Sequence, residues 1–150
     1  MWVGIYIQTD SKSPRRMKRR FGYVLACAVN GEDVTREGFG EAEETYHGAC
    51  VLAIEKAMAR IRKPCEITIY SENPWPLTQI KDHLKTWAAQ DFLNAKGKPI
   101  ANQKAWLHIW AAAQGHSITT VAGKHEFTEW LISEMRKRNE TERRNLCQSR

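Results

Sequence analysis

Apolar positions alternate with polar or small ones from Trp2 to Gln8 ("WVGIYIQ"), the period of a half-buried strand, and Thr9-Asp10-Ser11 ends it. After a basic stretch, residues 21–29 ("FGYVLACAV") read as a second strand. "NGED" is a hairpin-type turn, and residues 34–42 return as a third strand weakened by its glycines. The period then changes. Val51, Ile54, Met58 and Ile61 recur at three- and four-residue steps, which predicts an amphipathic helix over 45–62 with Thr45 as N-cap and Pro64 as its stop. "CEITIYS" (65–71) is a buried strand that runs into Glu72, Asn73 and two prolines. Leu77, Ile80, Leu84 and Trp87 predict two short helices over 77–93, followed by the loop 94–102 and a helix over 103–114. A fifth strand over 116–123 and a last helix over 126–138 complete the pattern, and the final dozen residues show no apolar period. Strands that follow helices pair in parallel through right-handed crossovers, whereas the first three form an antiparallel meander. The expected fold is therefore α/β: a mixed five-stranded sheet, three antiparallel strands plus two parallel, with helices on both faces.

A chain of 150 residues, 42% hydrophobic and 27% charged, suits one soluble domain, here residues 1–138, with 139–150 as a flexible basic tail. No apolar run approaches the roughly 20 residues of a membrane span, and the N-terminus carries no secretory pattern, so no membrane association and a cytoplasmic, thiol-reducing setting are expected. Cys27, Cys50, Cys65 and Cys147 form no C-x-x-C pair, and three of them lie in apolar surroundings that suit small core residues. The six tryptophans invite base stacking, but the helical spacing of Trp87, Trp106, Trp110 and Trp130 favours the core. Nothing specifies a protein partner, and a monomer is expected. The net charge of +6 is concentrated in "SPRRMKRR" (13–20) and "RKRNETERR" (136–144). Such clusters serve solubility or bind phosphate backbones by counterion release.

Three acids stand at element ends: Asp10 after the first strand, Glu72 after the fourth, and Glu129 one turn into the last helix. Sites in α/β sheets gather beyond the carboxyl ends of strands. Converging carboxylates repel one another unless a cation lies between them, and Mg²⁺ prefers oxygen ligands and retained water. With 17 acids in the chain, chance placement is the competing explanation.

Several segments, in order along residues 3–136, carry a family resemblance: "IYIQTDSKS", "RFGYVL", "CEITIYSEN", "TWAAQDFLNAKGKPIANQKAWLHI" with its K-P-x-x-N element, "HSITTV" and "HEFTEWLI". The chain resembles bacterial type 1 ribonucleases H. The resemblance implies an endonuclease that hydrolyses the RNA strand of RNA–DNA hybrids with Mg²⁺ or Mn²⁺. Of the family's four acids, the first falls on Asp10, the second (a helix Glu) on Cys50, the third (Asp) on Glu72 and the fourth (Asp) on Glu129. A neutral thiol is a poor Mg²⁺ ligand, and an added methylene moves a carboxylate by about 1 Å. His47, Glu44 or its neighbour Glu43, Cys50 itself and His125 are the candidates for compensation. His125 is either a displaced product-release histidine or a replacement for the residue that starts the last helix; the register of Glu126 and Glu129 favours the second. Expected nucleic-acid contacts are Arg15, Arg16, Lys18, Arg19, Arg20, Lys96, Lys98, Asn73 and Asn102. The altered acids leave open an alternative: a weak or inactive domain that binds nucleic acid or acts as a scaffold.

Overall fold

The computed structural model describes residues 1–148. Its elements are β1 (Trp2–Thr9), β2 (Met17–Val29), β3 (Glu32–Glu44), α1 (Tyr46–Met58), β4 (Glu66–Ser71), α2 (Pro74–Asp82), α3 (Leu84–Ala89), α4 (Gln103–Ala113), β5 (Ser117–Ala122) and α5 (Thr128–Gln148). The sheet order is β3-β2-β1-β4-β5. β1–β2 and β2–β3 are antiparallel, while β1–β4 and β4–β5 are parallel. This is the mixed sheet that the hydrophobic pattern implies. No described helix is long and apolar enough to cross a membrane.

The strand period divides the core into two faces. Val3, Ile5, Ile7, Ile67 and Ile69 point toward α1 and α4, where Ile54, Trp106 and Ile109 are buried. Tyr6 and Val24 point the other way, toward Leu131 and Met135 of α5. The hairpin turn uses Asn30 and Gly31, both at positive φ (52° and 80°), as a turn of matching twist requires. The glycines that weakened β3 in the sequence have a packing reason: Gly40 pairs with Phe21 and Gly38 with Tyr23, and each aromatic ring lies where a Cβ would stand.

Three expectations need correction. β2 begins at Met17, so half of the basic stretch is strand, because Lys18 and Arg20 pair across to the acid-rich end of β3. Helix α5 continues to Gln148, so residues 139–148 are helical rather than irregular. Polar contacts hold that extension, which an apolar period does not reveal: Arg20 Nε donates to Asn139 Oδ1 at 2.5 Å and Arg20 Nη2 reaches Glu142 Oε2 at 2.6 Å. Residues 149–150 of the expected tail lie outside the described residues. Finally, Trp106 is core, but Trp130 is 42% exposed, because it faces Phe39 at the margin of the sheet.

Candidate active site

Parallel pairing of β1 with β4 sets the register at the sheet's carboxyl end. Tyr6 lies opposite Tyr70, and their rings stack at 4.3 Å. Two residues on, Gln8 and Glu72 keep the same face, and Gln8 Nε2 donates to Glu72 Oε1 at 3.2 Å. The same carboxylate oxygen takes an ion pair from Lys12 Nζ at 2.9 Å. Burial alone would raise the Glu72 carboxyl, but the hydrogen bonds of Lys12 and Gln8, with the charges of Lys12 and Lys124, hold it below its ordinary value. Gln8 itself is 3% exposed, and its Oε1 has no hydrogen-bond partner among the described residues. Neither this glutamine nor Lys12 stands out along the chain; the available signal is Gln8 breaking the apolar run of β1.

Asp10 is exposed, one residue beyond β1, with its N–H donating to Arg20 O at 3.1 Å. It opens onto a cavity of about 270 Å³ that Arg20, Glu41, Asn139 and Glu142 also line. Glu129 stands in the first turn of α5, with its side chain 82% exposed and 3.9 Å from Lys124 Nζ. Among the described residues, no three His, Cys, Asp or Glu side chains form a group that could hold a metal ion. The three acids expected to converge therefore share one end of the sheet but do not form a ready-made cage. Lysines hold two of them: Lys12 at Glu72 and Lys124 at Glu129.

Cys50 lies on α1 itself, one turn into the helix and 2% exposed in the core. Burial pushes its thiol up to about 12, so it is neutral near pH 7. Asn73 Nδ2 lies 3.6 Å from the sulfur and 3.0 Å from His47 Nδ1, while Asn73 Oδ1 caps α2 by accepting from Trp75 N at 3.0 Å. Asn73, expected to contact substrate, is 3% exposed and its amide is committed to these neighbours. His47 stacks on Trp75 at 4.5 Å. Glu44 is also engaged: Oε1 accepts from Thr45 N at 3.0 Å and lies 3.6 Å from Arg16 Nη1, and Oε2 accepts from Asn102 Nδ2 at 3.0 Å. Asn102 reaches it from a left-handed conformation, φ 58°, at the head of α4. None of the compensating candidates completes an acid cluster.

Of the expected nucleic-acid contacts, Arg15, Arg16, Lys18, Lys96 and Lys98 are exposed. Lys18 and Arg20 are partly neutralised by Glu41, at 3.0 and 3.3 Å. Arg19 must be withdrawn from that set, because strand alternation turns it inward and it is 1% exposed. Its guanidinium donates to four backbone carbonyls, those of Glu44, Ser11 and Ser13 at 2.8 Å each and of Arg15 at 2.7 Å.

The last helix starts at Thr128 rather than beside His125, which lies three residues before it and donates its N–H to Thr128 Oγ1 at 2.9 Å. His125 Nδ1 accepts from Phe127 N at 3.2 Å, and Nε2 donates to Ile7 O at 2.9 Å, a neutral tautomer. Burial lowers the pKa of both His125 and His47 below 6.5. The unfolded chain takes up protons near pH 6.5, whereas the native chain resists them, so stability is full above that pH and falls on acidification. The melting temperature should drop between about pH 7.5 and pH 5. His125→Asn, which retains a capping oxygen, should flatten part of that drop. A melting temperature that is constant or rises on acidification contradicts this account.

The donors at the sheet end suit a hard divalent ion in kind, since Asp10, Glu72 and Glu129 would offer carboxylate oxygens, with Gln8 Nε2 already bonded to Glu72 Oε1. Cys50, neutral and buried, adds nothing to that set.

No family model matches the chain. The curated proteins it matches include the ribonuclease H of Legionella pneumophila (strain Corby), 27% identical over 97 residues, or 65% of this chain and 67% of the relative. The ribonuclease H of Cupriavidus pinatubonensis is 26% identical over 99 residues, 66% of each chain. Among solved structures, LC9-RNase H1, a type 1 RNase H with the type 2 active-site motif, superposes with a TM-score of 0.68 at 16% identity, over 87% of this chain and 68% of its own. The prototype foamy virus protease-reverse transcriptase (native) matches with a TM-score of 0.65 at 17% identity, over 90% of this chain and 20% of its own.

Proposed function

We propose that this chain, a ribonuclease H-like protein in sequence and fold, hydrolyses the RNA strand of RNA–DNA hybrids with a divalent metal held by Asp10, Glu72 and Glu129. One observation carries the reading. β1 and β4 are parallel neighbours, so Asp10 and Glu72 leave the sheet at the same end, and the first turn of α5 adds Glu129. The curated relatives named ribonuclease H support the substrate. A bound Mg²⁺ or Mn²⁺ supplies activation of water and stabilisation of the leaving oxygen.

The chain's own residues set up the rest. Gln8 aims one Glu72 oxygen by its 3.2 Å hydrogen bond. Asn73 and Glu44 brace the start of α2 and the junction of α1 with α4. Arg15, Arg16, Lys96 and Lys98, all exposed, grip phosphates without reading bases, as hybrid recognition by shape requires. Nucleic-acid affinity should therefore fall with rising salt.

Cleavage of a labelled hybrid in Mg²⁺ and in Mn²⁺ tests the proposal. Asp10→Asn should lower the rate about 100-fold or more, the usual cost of deleting one preorganised charged contact, while hybrid binding persists. Equal rates for the two proteins would reject it. A second reading, hybrid binding with little or no turnover, is favoured by the neutral Cys50 and by Lys12 seated on Glu72. Salt-sensitive binding by the unmodified chain without cutting would select it.

A further inference from the structure

We propose that Lys12 is a tethered counter-cation that competes with the divalent ion for Glu72, and so sets how much metal the site needs. The inference rests on the reading of Glu72 as a metal-holding acid, and it adds a residue and a control that the acids alone do not show.

Three observations converge. First, Lys12 Nζ lies 2.9 Å from Glu72 Oε1, the oxygen that Gln8 also engages, so the carboxylate is already charge-balanced without metal. Second, the backbone on either side of Lys12 is fixed. Ser11 O accepts from Arg19 Nη1 at 2.8 Å and from Thr9 Oγ1 at 2.9 Å, Ser13 O accepts from Arg19 Nη2 at 2.8 Å, and Ser13 N donates to Ser11 Oγ at 3.2 Å. The buried guanidinium thus presents the lysine stem toward Glu72 and reduces the entropy lost in forming the pair. Third, a second ammonium stands at the site: Lys124 Nζ lies 3.9 Å from Glu129 Oε1. Two ammonium groups thus stand against two of the three carboxylates.

The competition is soft. The Lys12 side chain is 59% exposed, so displacement returns its ammonium to water at little cost. Pairs of this exposure contribute up to about 1 kcal/mol, which corresponds to about fivefold in an equilibrium constant.

Mn²⁺ binding to the full chain, followed by the electron paramagnetic resonance of free Mn²⁺ without nucleic acid, tests the proposal. Lys12→Met should bind Mn²⁺ about fivefold tighter than the unmodified chain. Lys63→Met, which removes an exposed lysine from the loop before β4, should not. In a Glu72→Gln background the Lys12→Met gain should vanish. Equal affinity of the unmodified and Lys12→Met chains overturns the proposal and leaves the metal-holding reading intact. No Mn²⁺ binding by either chain overturns that reading, and this inference with it. A gain that survives Glu72→Gln shows a general charge effect and rejects the pairing.

Discussion

Arg19→Ala should destabilise the fold by about 2–4 kcal/mol, a large share of the 5–15 kcal/mol typical of a single domain. The guanidinium is 1% exposed and has no carboxylate partner among the described residues; its donors are spent on the carbonyls of Ser11, Ser13, Arg15 and Glu44. Hydrogen bonds from a charged donor are worth more than neutral ones, and truncation leaves their acceptors unmet unless the loop opens to water. Opening that loop would also release Ser11 and Ser13, and with them the placement of Lys12. Urea denaturation should show a clear fall in midpoint, and Arg19→Lys should recover only a minor part, because one ammonium with three donors cannot span acceptors on two chain segments. A loss below about 1 kcal/mol would mean that the grip on these carbonyls is not structural.

The architecture was legible because it rests on period. Alternation in "WVGIYIQ" and "CEITIYS", the Asn30-Gly31 turn and the spacing of Val51, Ile54 and Met58 each state a local preference that the tertiary structure obeys. The positions of Asp10, Glu72 and Glu129 at element ends were equally visible. What was hidden depends on partners far away in the chain. In "RRMKRR" Met17 is the one apolar residue, and although it shares a strand face with Arg19, four further cations surround it, so Arg19 looks like its neighbours until β2 is paired with β3. Lys12 gains meaning only from Glu72, and the helical extension beyond residue 138 only from Arg20. The two asparagines divide for the same reason. Asn73 is consumed by Trp75, His47 and Cys50 inside the fold, while Asn102 is consumed by Glu44. In both cases residue type was informative and direction was not.

Cys50→Glu should strengthen the site while weakening the metal-free fold. The position is one turn into α1, 2% exposed, with the Asn73 amide as its polar neighbour and Arg19 close enough to favour a negative charge there. Glutamate replaces a neutral thiol with a fourth carboxylate, the residue type that the resemblance implies for this helix. A buried carboxylate without a full set of partners costs a few kcal/mol, so the metal-free variant should melt lower than the unmodified chain. Binding to the native state alone then offsets the loss, because a ligand at 100 times its Kd contributes about 2.7 kcal/mol. The variant should therefore show a larger Mn²⁺-induced rise in melting temperature, together with hybrid cleavage raised about tenfold or more. Cys50→Gln supplies the control, since it matches the size and carries no charge. If Glu and Gln behave alike in Mn²⁺, the helix position does not face the metal, and Asp10, Glu72 and Glu129 must act without it. If only the Glu variant responds, the helix position faces the metal and the thiol of the unmodified chain leaves that ligand position unfilled.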